Sequence, residues 1–339
     1  MSWIYDVQPE QLKEKLVEQG FPKFRAQQIQ NWLHKGIVAT EDMSNLPQDV
    51  MAWLEDNFNL DHLAIEDVQI SSIDGSQKYL IRIGKENFVE AVVMRYSYGN
   101  TLCLSSQIGC RMGCVFCAST GAGFVRSLTP GEMLGQYALV RKALGEDIER
   151  VVVMGIGEPL EDLPALLEFI ERLHAEYNIS IRRITLSTCG LVPKIYKLAE
   201  ANEPITLAVS LHSAIQTVRE SLMPIAKKYP LGELLKALRI YRETTGRRIT
   251  YEYLMIHGLN DGQKDLDALL HALKKAPGHV NLIPFNAVEG LDFKPSSEKR
   301  MLSFEQQIEA AGFPVSRRRS LGNDITAACG QLRRQKQKG

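Results

Sequence analysis

From residue 101 onward the chain alternates two textures, and that alternation limits its fold more than any other feature. Short apolar, β-branched runs recur at 101–105, 151–154, 181–187, 205–211, 249–255, 280–285 and 315–318. Amphipathic stretches such as 130–144, 160–177 and 231–245 separate most of them. Strands alternating with helices build βαβ units and a parallel sheet, so the expected class is α/β. Six or so such units without a Gly-rich dinucleotide fingerprint point to a barrel or partial barrel rather than a Rossmann sheet. In barrels, chemistry gathers at the C-terminal ends of the strands.

The front of the chain reads differently. Residues 10–19 carry Leu12 and Leu16, 24–34 carry Phe24, Ile29, Trp32 and Leu33, and 47–58 carry Val50, Trp53 and Leu54. Such spacings give helices with one buried stripe, so 1–60 is expected to form a small helical domain. A β-rich connector over 61–99 follows, with strands at 77–83 and 88–96 forming a meander. The barrel is expected over 100–320, and 321–339 forms a C-terminal segment ending in a basic tail. No fixed-period repeat is present. No apolar run reaches the ~18 residues of a membrane span. The N-terminus lacks the basic and apolar regions of a secretory signal, so a cytoplasmic protein without a membrane partner is expected.

Forty Lys+Arg balance forty Asp+Glu, which excludes a uniformly basic nucleic-acid binder. The balance is an average over unequal parts. Residues 1–100 hold nine basic and fifteen acidic side chains, whereas 201–339 hold twenty-one and fourteen. The basic excess peaks at Arg317-Arg318-Arg319 and in the tail from Arg333 to Lys338. Such clusters are either a solvated terminus or a surface that steers a polyanion.

The strongest local signal is Cys110-Arg-Met-Gly-Cys114-Val-Phe-Cys117, after one expected strand and before a helix. Six cysteines in so long a chain do not make a disulfide scaffold, and clustered thiols in a reducing compartment point to metal. Thiolates are soft ligands for zinc or iron–sulfur centres. A structural zinc site wants four protein ligands, and no fourth Cys or His lies nearby. Three thiolates suit a 4Fe–4S cubane with one iron left open. Zinc and three merely buried cysteines are the alternatives.

This spacing, in the loop after the first barrel strand, resembles the radical S-adenosylmethionine (SAM) superfamily. The fuller segment from Cys103 through Gln107 and Cys110 to Cys117 resembles the RlmN/Cfr family of RNA adenosine methyltransferases. So do Met154-Gly-Ile-Gly157-Glu158-Pro159-Leu160, Ser187-Thr-Cys-Gly190, Ser210-Leu211-His212, Asn281-Leu-Ile-Pro-Phe-Asn286 and Asp324-Ile-Thr-Ala-Ala-Cys329-Gly-Gln-Leu. The likeness runs over nearly the whole chain, and implies a partial (β/α)6 radical SAM barrel behind the helical front. Two positions depart from the family pattern. Cys189 stands where Ser is common, and Ala287 follows Asn286 where Pro is common. Neither removes a polar group assigned below.

The resemblance implies a set of roles. Cys110, Cys114 and Cys117 would hold one 4Fe–4S cluster. Gly157, Glu158, Ser187, Ser210, Leu211, His212 and Asn286 would bind S-adenosyl-L-methionine, with the Glu158 carboxylate suited to the SAM ammonium. Cys329 would accept a methyl group from one SAM, and a second SAM would supply the radical that activates it. Cys103 would then attack Cys329, forming a transient disulfide that releases the methylated base. Glu90 would accept the proton. Taken alone, each has a plainer reading: Glu90 as an outward strand residue, the serines as strand ends, Cys103 and Cys329 as small buried side chains.

The implied substrates are an adenosine in the peptidyl-transferase region of 23S rRNA and one in the tRNA anticodon loop, methylated at carbon 2. Methylation at carbon 8, the Cfr-type reaction that confers antibiotic resistance, is the alternative within the family. A radical SAM enzyme acting on a small molecule or peptide, and a non-catalytic zinc-stabilised RNA-binding protein, are the alternatives outside it. The electron donor would be of the flavodoxin or ferredoxin type, and the protein a monomer.

Overall fold

The computed structural model of the chain describes residues 1–121, 123–286, 291–318 and 321–327. Strand β1 (Ser2–Trp3) leads into helices α1 (Pro9–Glu18), α2 (Phe24–His34) and α3 (Gln48–Asn57), followed by β2 (Phe58–Asn59). The three helices lie within a residue or two of their expected places. Their stripes are buried: Leu12 and Leu16 in α1, Ile29 and Leu33 in α2, Val50 and Leu54 in α3. β1 pairs in parallel with β2, so the start and end of this unit are clamped together.

Strands β3 (Leu63–Ile70), β4 (Gln77–Ile83), β5 (Asn87–Tyr96) and β6 (Gly99–Leu104) run antiparallel in sequence. A short hairpin follows, β7 (Gln107–Gly109) and β8 (Phe124–Ser127). The βα units are α4 (Pro130–Leu144), β9 (Arg150–Val153), α5 (Leu163–Tyr177), β10 (Ile184–Thr188), α6 (Val192–Ala201) and β11 (Thr206–Ser210). They continue with α7 (Gln216–Leu222), α8 (Ile225–Lys228), α9 (Leu231–Thr245), β12 (Ile249–Met255), α10 (Gln263–Lys275), β13 (His279–Pro284), α11 (Glu298–Ala310) and β14 (Val315–Arg317). Among the described residues no helix is long and apolar enough to cross a membrane.

One sheet runs β14-β13-β12-β11-β10-β9-β6-β5-β4-β3. From β14 to β6 the strands are parallel, and from β6 to β3 antiparallel. This is the open α/β barrel expected from the alternation. The meander is continuous with it, because β5 pairs along β6 through Val92 and Cys103. Helix α4 packs against β3, β4 and β6. β5 is consequently buried from Val89 to Met94 on both faces. The outward reading of Glu90 is therefore wrong: it is 5% exposed.

Two expected boundaries move for local reasons. Residues 181–183 form a 3-10 turn, closed by Arg183 N–H donating to Ser180 O, and pairing with β9 begins only at Ile184. The helix expected from residue 160 starts at Leu163, because Asp162 caps it through Ala165 N–H and Pro164 occupies its first turn. α4 follows the expected bounds. Thr129 and Glu132 form a reciprocal capping box, and Gly145 ends the helix in the left-handed region.

The helical front is fastened to α4 and α5. A Cβ on Gly135 of α4 would lie 2.1 Å from the Trp3 ring, so only glycine admits that side chain. Arg172 of α5 donates to Tyr5 O at 2.7 Å. Burying Trp3, Ile4 and Tyr5 here contributes about 1.5–3 kcal/mol for each large side chain.

Candidate active site

The parallel strands place the expected site residues at one end of the barrel. Ser187, Ser210, His212 and Asn286 stand on or just after the C-terminal ends of β10, β11 and β13. All four line a cavity of about 130 Å³ together with Phe116 and Cys117. Its other walls include Met154, Leu254, Ile283 and Phe285. A polar ring over an apolar floor suits a ligand with one flat apolar part and several hydrogen-bonding groups.

His212 is fixed in orientation. Its φ is 54°, a left-handed conformation costly for a non-glycine residue. Its Nδ1 accepts from Leu254 N–H at 3.0 Å, which leaves Nε2 as the donor. The ring meets Phe116 edge-on at 4.7 Å. Burial, aided by the Arg219 charge, pushes its pKa down to about 3, so it is neutral near pH 7. Leu211 does not line the cavity: it is fully buried, and its N–H donates to Glu252 O.

Gly157 and Glu158 stand in the loop after β9. Glu158 is 3% exposed and lies outside the cavity lining. Its Oε1 accepts from Leu160 N–H at 3.1 Å, and its Oε2 from Cys189 N–H at 2.7 Å. Burial raises its pKa, with those backbone donors pulling the other way. The carboxylate thus ties the β9 loop to the β10 loop. Gly157, at φ 116°, lies close against Gln107 and Ser106. Gln107 Oε1 accepts from Glu158 N–H at 3.0 Å.

The cysteine loop joins β7 to β8 and covers this end of the barrel. Cys110 and Cys114 are buried, and Cys117 is half-buried against the cavity. Cys114 belongs to an apolar cluster with Leu222, Met223 and Phe285, and Met112 and Phe116 pack onto it. Val115 N–H is anchored on Leu222 O at 3.1 Å. Burial, reinforced by the neighbouring Cys117 sulfur, pushes the Cys110 thiol up to about 12, and Cys114 higher still. Among the described residues no set of three such side chains closes on a single ion. A cubane spreads its ligands over separate irons, so three neighbouring sulfurs in one dry loop fit it.

A second group lies along the β4–β5–β6 ladder. Lys78, Val92, Cys103 and Val152 are direct cross-strand partners and share one sheet face. Glu90 lies two residues from Val92 on that face, with Lys78 Nζ at 3.4 Å. The same Nζ donates to Thr326 Oγ1 at 3.3 Å. Gly322 N–H donates to Asp74, and Asp324 accepts from Ser72, which secures the C-terminal segment to the β3–β4 turn. Cys329 and Ala287 lie outside the described residues.

Two family models match the chain. One, the Radical SAM superfamily, covers residues 104–271; the other, the Ribosomal RNA large subunit methyltransferase N-terminal domain, covers 2–60. A protein of Clostridium botulinum (strain Alaska E43 / Type E3) named "Probable dual-specificity RNA methyltransferase RlmN" is 45% identical over 336 residues. That alignment spans 98% of this chain and 97% of the relative. A relative of the same name from Clostridium perfringens (strain 13 / Type A) is 45% identical over 337 residues, again 98% and 97%. The chain belongs to the RlmN family. The crystal structure of a radical SAM methyltransferase from Sphaerobacter thermophilus superposes with a TM-score of 0.93 at 39% identity, covering 98% of this chain and 99% of the other.

For a member of the RlmN family, several site residues lay outside the sequence reading. Phe116, Leu254, Ile283 and Phe285 look like ordinary core in sequence, and only the barrel closure turns them into a ligand floor. Glu252 and Lys78 carried a signal. Each is a charged residue within an apolar strand, and such residues are rarely buried without a partner. Lys78 is 4% exposed and Glu252 6%.

Proposed function

We propose that this chain methylates carbon 2 of an adenosine in 23S rRNA and of one in the tRNA anticodon loop, through a methylated cysteine. The observation that carries the reading is the Lys78–Glu90 pair. It faces the Cys103 row and holds Thr326, three residues before Cys329. The full-length similarity to proteins named dual-specificity RNA methyltransferases supports the substrates.

Cys110, Cys114 and Cys117 hold the 4Fe–4S cluster. Ser187, Ser210, His212 and Asn286 bind SAM by their side chains, while Gly157, Glu158 and Leu211 contribute through backbone that their packing holds in place. When bound, the cluster supplies an electron, and SAM supplies both a methyl group and a hydrogen-abstracting radical. Cys329 Sγ receives the methyl group and carries it to the adenine ring carbon. Glu90 takes the ring proton, with Lys78 stabilising its charge. Once the adduct has passed its unpaired electron back to the redox donor, the Cys103 thiolate attacks Cys329 Sγ and forms a disulfide as the carbon–sulfur bond breaks; the freed carbon takes up a proton, and the base leaves with its methyl group. The chain acts in the cytoplasm as a monomer and draws electrons from a flavodoxin- or ferredoxin-type donor.

The test is mass spectrometry of nucleosides from unmodified 23S rRNA and tRNA treated with the anaerobically purified holoenzyme. 2-Methyladenosine from both RNAs is expected. 8-Methyladenosine would instead assign the Cfr-type reaction, and an unmodified product would sink the methyltransferase reading.

A further inference from the structure

The barrel has a second opening, at the N-terminal ends of its strands, and its chemistry is unlike that of the SAM end. Arg150 opens β9, Arg182 and Arg183 immediately precede β10, and Arg248 immediately precedes β12. All four are exposed and border a cavity of about 710 Å³. None of them has an ion pair among the described residues, whereas Arg95 and Arg317, which also line the cavity, pair with Glu146 and Glu298. Among the described residues the acid lining this cavity is Glu252, which is 6% exposed. The rim therefore carries uncompensated positive charge.

A further feature points to a ligand. Tyr98 is 56% exposed at this rim, stacked on Tyr96 at 4.9 Å, with the Arg150 guanidinium over its ring. Exposed aromatic rings beside arginines are platforms for unstacked bases.

The two cavities meet. Met154, Glu252 and Arg318 line both of them. Along β12 the inward residues are Thr250 at the lower rim, Glu252 at the neck and Leu254 at the SAM end. The distance from Thr250 to Leu254 is about 13 Å at ~3.3 Å per residue. The opposite end is covered by the cysteine loop and its apolar cluster.

We propose that this N-terminal mouth receives single-stranded RNA. Arg150, Arg182, Arg183 and Arg248 hold backbone phosphates outside, Tyr98 stacks a neighbouring base, and the extruded nucleotide passes up the lumen. An enzyme acting on a base carbon must take that base out of its stack, and the lumen is the space that would accept it. The inference rests on the RNA-substrate reading above and adds the entry route.

The test is fluorescence anisotropy of a labelled RNA hairpin with an adenosine-containing loop, titrated with holoenzyme over a salt series. Arg150→Gln/Arg182→Gln/Arg183→Gln/Arg248→Gln is compared with the parent and with Lys13→Gln/Lys15→Gln on α1. Each lost phosphate contact removes about 0.7 from the slope of log affinity against log salt. The quadruple variant should lose up to about 3, and the α1 variant should keep the parent slope. Should the quadruple variant fail to fold by circular dichroism, Arg183→Gln and Tyr98→Ala are measured singly. Arg183→Gln should cost about 0.7 of slope, and Tyr98→Ala should weaken binding roughly five- to hundredfold. Parent-like slope and affinity in these variants would overturn the entry route while leaving the methylation reading intact. A parent enzyme that binds no RNA would overturn both.

Discussion

Lys78 Nζ stands 3.4 Å from Glu90 Oε1, with the two side chains only 5% and 6% exposed. A charge pair this deep is costly to break from one side, because the survivor keeps its desolvation penalty without its partner. Lys78→Met is therefore expected to lower unfolding stability by about 3–5 kcal/mol. Lys78→Met/Glu90→Gln should recover much of that loss. Urea unfolding of the parent, both single variants and the double variant closes the cycle. Additive losses would show that the two groups are not coupled.

Gly157 occupies a conformation and a space that both require glycine. At φ 116° a Cβ would be strained, and it would sit 2.6 Å from Gln107 Cβ and 2.8 Å from Ser106 Oγ. Gly157→Ala should cost about 1–3 kcal/mol, and should weaken SAM binding about tenfold by displacing the β9 loop. Thermal unfolding and isothermal titration of the holoenzyme with SAM read the two effects. Unchanged SAM affinity would remove the loop from the binding site.

The cysteines should divide by iron content. Cys110→Ala, Cys114→Ala and Cys117→Ala should each lose most of the iron from an anaerobic preparation that otherwise holds about four irons per chain. Cys189→Ala should keep it. Burial and the nearby Glu158 carboxylate push the Cys189 thiol far above its ordinary range, and its role is to pack. A colourless parent protein would end the cluster assignment.

Glu132 links acid stability to the join between helical front and barrel. Burial opposes its charge, yet Arg126 at 2.6 and 2.7 Å and His62 at 2.6 Å outweigh that penalty. Together with the Thr129 backbone they hold its pKa at about 2, below the ordinary 4.5. A depressed carboxyl stabilises fully above pH 4.5 and loses that contribution as pH falls toward 2. Its size is about 3 kcal/mol. Glu132→Gln should be less stable than the parent by that order at pH 6, and the gap should narrow as the pH drops to 2. A gap constant with pH would mean that the ionised form contributes nothing particular.

The elements that formed where the sequence placed them share a reason. α2, α4, α9, β4 and β12 carry their period and their start and stop signals within one continuous segment. The turn at residues 181–183 and the delayed start of α5 escaped because a single capping bond decided each. The sequence pattern was not resolved into separate helices at α6, α10 and α11, though α10 and α11 are longer than α1–α3. Glu90 misled because alternation assumes one wet face, while β5 is buried on both faces from Val89 to Met94.

The chain by itself determined the class of chemistry. Three thiols in eight residues and a run of ordered motifs are local facts that survive any packing, and so is the strand–helix alternation that makes an open barrel. Tertiary structure alone decided who meets whom. It brought Lys78 to Glu90 and Thr326, turned the Glu158 carboxylate onto backbone amides, and built an apolar floor from residues of four different loops and strands. It also gathered Arg150, Arg182, Arg183 and Arg248 at one mouth, though 98 residues separate the first from the last. Register and strand order set these distances, and neither is written in any single stretch of sequence.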